Sequence, residues 1–133
     1  VLSSNGGALE KMSVPIRWGV GAALGSGNQY MSWIHIDDLC AMIYFLIDNN
    51  LSGTYNAVSP NPATNKEMTK SIAKQLGKPF FLPNVPAFVL KTMLGEMAMM
   101  LLGSSKVSAE KIENAGFKFQ FPTLQSALKN ILR

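Results

Sequence analysis

The sequence predicts an α/β chain with more helix than strand. Three observations carry this. Residues 30–36 alternate like a strand, with Tyr30, Ser32, Ile34 and Ile36 on one face and Met31, Trp33 and His35 on the other. Thr64-Asn65-Lys66-Glu67 reads as a capping box opening a helix. Leu124, Ala127, Leu128, Ile131 and Leu132 fall at i, i+3, i+4, i+7 and i+8.

The elements follow in order. Gly6-Gly7 leads into a short helical pattern at residues 8–12, expected to stop before Pro15. Residues 19–27 hold four glycines and read as a loop or irregular strand. Asp37 and Asp38 follow the strand at 30–36 and start a helix, carboxylates standing where free amides and the helix dipole favour them. Residues 39–47 are apolar almost all round, so that helix is expected to be deeply buried. Residues 53–58 suggest a second short strand, closed by Pro60 and Pro62. The helix opened by Thr64 places Met68, Ile72 and Leu76 on one face and ends at Gly77, with Pro79 beyond. Residues 80–82 form a candidate strand between Pro79 and Pro83. Pro86 opens a helix running to about Leu102, with Gly95 as its weak point. Ser108 caps another helix ending at Gly116. Phe117, Phe119 and Phe121 alternate as an edge with one apolar face, and Thr123 opens the last helix.

Length and composition bound the function. With 133 residues, 47% hydrophobic and 15% charged, the chain suffices for a single domain over residues 1–133 with a real core, and disorder is excluded. Eight methionines and seven phenylalanines hint at a surface meant to be covered. The lone Cys40 excludes a disulfide framework or a multi-cysteine zinc site and fits a reducing, cytoplasmic setting. The net charge of +4 is uneven, with two basic against four acidic residues in 1–60 and ten against four in 61–133. Lys66, Lys70, Lys74 and Lys78 stand singly at helical spacing, a solvated face without the aromatic interleaving of a nucleic-acid binder. Residues 85–103 are interrupted by Lys91 and Glu96, a poor membrane span. The sequence thus predicts a chain with neither nucleic acid nor membrane as partner.

Catalytic signatures fail in turn. Leu24 stands where a dinucleotide fingerprint beginning at Gly19-Val20-Gly21 needs glycine, and there is no P-loop. Ser26 lacks the glycine two residues before it that a nucleophile elbow requires. The positions four after Tyr30, Tyr44 and Tyr55 are Ile34, Asp48 and Ser59, so no tyrosine has a lysine at that spacing. The sequence assigns no catalytic, cofactor-binding or metal-binding residue. His35-Ile36-Asp37-Asp38 is the dense ionisable cluster. One reading has an aspartate capping the helix and His35 bonded inside the fold. The others are a metal site short of ligands beyond Cys40, and a direct ligand or catalytic role. Met93, Met97 and Met100 share a helix face and read as core or interface filler, not a ligand groove. Lys106, after Gly103-Ser104-Ser105, reads equally as an anion contact and as a surface lysine.

The segment Ser32-Trp33-Ile34-His35-Ile36-Asp37-Asp38-Leu39 resembles the strand–helix junction of extended short-chain dehydrogenases, the nucleoside-diphosphate-sugar epimerases, dehydratases and reductases. The closer likeness is to an atypical branch, the epimerase family proteins. It rests further on Gly6-Gly7-Ala8-Leu9, Leu24-Gly25-Ser26-Gly27, Leu94-Gly95-Glu96-Met97, Leu101-Leu102-Gly103 and Gly116-Phe117. The resemblance implies the C-terminal, substrate-binding lobe of an NAD(P)-dependent isomerase or oxidoreductase, helix-rich with a few short strands. The N-terminal Rossmann half, with NAD or NADP and the tyrosine–lysine pair, would lie outside this chain and be its main partner. It further implies that the segment from Gly7 to Met12, with Leu9 and Met12, lines one side of a small-molecule, sugar-nucleotide site, and the loop-strand from Leu24 to Trp33, with Gly25, Ser26, Gln29, Ser32 and Trp33, another. Lys106 would reach a diphosphate, and His35, Asp37 and Asp38 would form a structural cap and junction. Where sugar-nucleotide epimerases place a phosphate-gripping arginine, this chain has Met31, which counts against such a substrate. The lobe by itself is expected to bind NAD(P) no better than millimolar and to self-associate. A non-catalytic ligand-binding or regulatory module is the alternative.

Overall fold

The computed structural model describes residues 1–132. Seven helices and one two-stranded sheet follow in the order α1 (Ala8–Arg17), β1 (Tyr30–Met31), α2 (Ile36–Asp48), β2 (Ala63–Thr64), α3 (Asn65–Leu76), α4 (Ala87–Leu94), α5 (Met97–Leu102), α6 (Glu110–Asn114) and α7 (Leu124–Ile131). The fold is a helix-rich α/β lobe. β1 and β2 are antiparallel, Tyr30 opposite Thr64 and Met31 opposite Ala63. Isolated parallel bridges join Leu2 to His35 and Leu24 to Val85.

Helix α3 is central, packing against α1 on one side and α7 on the other. Its start is the expected capping box: Glu67 N donates to Thr64 Oγ1 at 3.2 Å and Thr64 N to a Glu67 carboxylate oxygen at 2.8 Å. Such a cap is worth about 1 kcal/mol. Gly77 ends the helix in the left-handed region (φ 67), where a Cβ would be strained. Leu9 and Ile16 of α1, Met68 and Ile72 of α3 and Leu128 of α7 fill the main core together with Leu2 and Trp33. A second core gathers Ile34, Met42, Ala109, Ile112 and Phe117 beneath α2 and α6.

Several elements differ from the sequence expectation for local reasons. Helix α1 runs through Pro15 to Arg17. Pro15 and Lys11, whose carbonyl loses its donor, are both exposed, so the missing bond falls on the solvent side of the helix. Beyond Met31 the strand at 30–36 has no continuous ladder. Its contacts are scattered: Ser32 Oγ donates to Ser105 O at 2.8 Å, Leu2 N donates to Ile34 O at 2.7 Å, and Ile36 N donates to Leu2 O at 3.0 Å. Residues 53–58 and 80–82 form no strand either. Ser59 N donates to Trp33 O at 2.6 Å, but the 32–36 segment is already engaged with Leu2 and residues 105–107. The helix expected over 86–102 breaks at Gly95 (φ 59, ψ −128), so the weak point becomes a turn between α4 and α5. Helix α2 buries only Asp38 and Met42, leaving Ile43, Tyr44 and Ile47 at least half exposed.

Candidate functional site

Three helices turn one face each toward a cavity of about 580 Å³. From α1 come Ala8, Lys11, Met12 and Pro15, one stripe at helical spacing. From α3 come Asn65 and Thr69, one turn apart. From α5 come Met97, Met100 and Leu101, with Leu94 from the end of α4. The loop at residues 21–24 and Met31 of β1 close the floor.

The loop is held by specific contacts. Asn65 Oδ1 accepts from Leu24 N at 2.8 Å, and Asn65 N donates to Gln29 O at 2.9 Å. Gly25 N donates to Val85 O at 2.8 Å, and Asn84 Nδ2 donates to Gly25 O at 3.0 Å. A Cβ at Gly25 would stand 2.6 Å from a Leu102 methyl, so glycine lets the loop approach α5. Gln29 Nε2 donates both to Leu24 O at 3.0 Å and to Leu101 O at 3.1 Å, tying the loop to the far wall. Thr69 Oγ1 donates to Asn65 O at 2.8 Å, and Asn65 Nδ2 meets Met31 Sδ at 3.6 Å. Among the described residues, Lys11 is the sole charged one in the lining.

Of the residues singled out by sequence, Met12 lines this cavity. Leu9 and Trp33 lie in the main core at 1% and 2% exposure, Trp33 Nε1 donating to Asn61 O at 2.8 Å. Gly25 and Gln29 shape the loop behind the wall. Ser26 is exposed and its Oγ accepts from Asn28 N at 3.2 Å. Ser32 Oγ, besides donating to Ser105 O, accepts from Val107 N at 3.0 Å. Lys106 Nζ sits 4.7 Å from the centre of the Tyr30 ring.

His35 is the helix cap, a role the sequence reading gave to an aspartate. Its Nδ1 accepts from Asp37 N at 3.0 Å, so Nε2 carries the proton toward Asn130 Oδ1 at 3.0 Å. The ring stacks on Phe121 at 4.0 Å between centroids. Asp38, 1% exposed, accepts instead from Gln120 N at 2.8 Å and Phe121 N at 2.9 Å. The two residues fasten the chain on either side of Phe121 to the start of α2. Among the described residues no group of three or more His, Cys, Asp or Glu side chains converges to hold a metal.

Sequence reading placed Lys11 in the lining segment 7–12 without singling it out, missed Asn65 and Thr69 as lining residues, and took Met97 and Met100 for filler. The spacing signal was present on each helix. That the three stripes converge is set by tertiary packing.

Residues 85–131 match the family model described as a domain of unknown function (DUF1731). Epimerase family protein SDR39U1 of Mus musculus is 38% identical over 99% of this chain, and epimerase family protein SAR0825 of Staphylococcus aureus is likewise 38% identical. The chain spans 45% and 44% of these relatives. The crystal structure of human epimerase family protein SDR39U1 with NADPH superposes with a TM-score of 0.89 at 37% identity, over 98% of this chain and 45% of that one. A nucleoside-diphosphate sugar epimerase from Corynebacterium glutamicum matches at a TM-score of 0.73 and 29% identity, covering 98% of this chain and 24% of its own. In sequence and in fold, the chain is similar to the C-terminal part of epimerase family proteins, over just under half their length.

Proposed function

We propose that this chain is the substrate-binding lobe of an NAD(P)(H)-dependent epimerase or oxidoreductase, a single domain whose partner is the cofactor-binding half of the same protein. The observation that carries the reading is the cavity built by α1, α3 and α5, within the size range of small-molecule sites. The NADPH in the human relative's structure supports the cofactor assignment. The cavity does not fit the dinucleotide itself. A pyrophosphate wants several donors, and here Lys11 is the only charged lining residue among those described while the Thr69 hydroxyl already donates to Asn65 O. Cofactor and acid–base groups therefore belong to the other half.

In this reading nicotinamide, when bound, exchanges hydride with a hydroxyl or carbonyl carbon of the substrate. The residues of this lobe seat and orient the substrate and exclude water; Lys11 and the Asn65 amide supply polar contacts. The exposed apolar side chains of α5 and α2 would meet the cofactor half or, in the isolated lobe, a second copy. No described helix is long and apolar enough to cross a membrane, and the single cysteine is free, which supports a cytoplasmic protein.

A second reading, a ligand-binding or regulatory module without chemistry, draws on the cavity's lack of any titratable lining group besides Lys11. The test uses the full-length protein. NADPH is expected to bind it at micromolar concentration and the lobe alone no better than millimolar, with NADPH oxidised in the presence of some member of a carbonyl panel. Tight NADPH binding without turnover on any carbonyl would favour the module, and equal binding by the lobe alone would overturn the division of labour.

A further inference from the structure

The cavity's chemistry specifies its ligand more closely than the family likeness does. Resting on the reading of this cavity as a substrate site, we propose that it takes an apolar-bodied molecule bearing a single carboxylate. The body lies against Met12, Leu24, Met97 and Leu101, and the carboxylate meets Lys11 Nζ.

Three observations carry this. The walls from α1, α5 and the 21–24 loop are apolar apart from Lys11, so a sugar or nucleotide would lose water from its hydroxyls and phosphates without gaining partners. The two polar residues on the α3 wall are largely engaged already. Thr69 Oγ1 bonds to Asn65 O, Asn65 Oδ1 takes Leu24 N, and Asn65 Nδ2 has only a thioether acceptor. That leaves one weakly used amide donor for a ligand oxygen, enough for a carbonyl and too little for a polyol. Finally, Lys11 Nζ makes no ion pair or hydrogen bond among the described residues, so its charge is free for one anion. Methionine walls suit such a ligand, because the unbranched thioether chain reshapes around apolar bodies of different outline.

The full-length protein, saturated with NADPH, is titrated by calorimetry with decanoate, 1-decanol and UDP-glucose. Decanoate is expected to bind about tenfold more tightly than decanol. Lys11→Gln should remove that advantage, leaving decanol unchanged, and Lys11→Arg should keep it. Leu101→Trp, which fills the cavity from α5, should weaken both. UDP-glucose binding that displaces decanoate and is lost in Leu101→Trp would overturn the ligand class while keeping the site. Binding of every probe unaffected by Leu101→Trp would overturn the site and the ligand together.

Discussion

Asp38→Ala lowers the stability of the lobe by roughly 3–4 kcal/mol, the largest single-residue effect expected outside the apolar core. The carboxylate is buried at 1% exposure and accepts two backbone amides, from Gln120 and Phe121. Alanine removes the acceptor of both part-buried amides, and each orphaned amide costs about 1–3 kcal/mol. The charge-assisted bonds also anchor the chain leading into α7, so their loss frees Phe121 from the His35 ring and loosens α7 against α3. Asp38→Asn keeps one acceptor oxygen but turns an NH₂ toward the second amide, and about half the loss is expected. Urea unfolding with an unchanged m-value measures both; a loss under about 1 kcal/mol for the alanine variant would show that these bonds do not hold the C-terminal segment.

On the proposed function, Met12→Trp is expected to raise the KM for substrate at least tenfold in the full-length protein, with cofactor affinity unchanged. Met12 sits midway along the α1 stripe, half-buried, with its side chain on the cavity wall. An indole there occupies the space of the substrate's body, and one displaced apolar contact region is worth about 1–3 kcal/mol. Because the cavity is already open, the larger side chain has room. Thermal unfolding should therefore stay within a few degrees of the parent. Unchanged KM with intact folding would place the substrate elsewhere.

Local chemistry made part of this lobe legible in advance. The Thr64–Glu67 box, the Gly77 stop and the apolar stripe of α7 depend on neighbours within a few residues, and each stands where the sequence places it. Strands fared differently because a strand exists only through its partner. Residues 53–58 and 80–82 have strand-like composition, but the 32–36 segment beside the first is already bonded elsewhere, and among the described residues only Tyr30–Met31 and Ala63–Thr64 pair as strands. The deep burial expected for α2 failed for a related reason. Its apolar surface exceeds what this lobe packs against it, and Ile43, Tyr44 and Ile47 remain open. The site divides along the same line. Met12 and the segment holding Lys11 were reachable from resemblance, whereas Asn65 and Thr69 become lining residues only when α3 is set beside α1.

The most direct test uses the eight methionines as reporters. Met12, Met31, Met97 and Met100 line the cavity; Met42 and Met68 are buried in the two cores, and Met93 and Met99 are exposed outside the lining. With ¹³C-methyl methionine in the full-length protein, saturation with a ligand that inhibits turnover should shift the first four methyl resonances and leave Met42, Met68, Met93 and Met99 in place. Shifts confined to the second four, or none in this lobe at all, would show that α1, α3 and α5 do not hold the substrate.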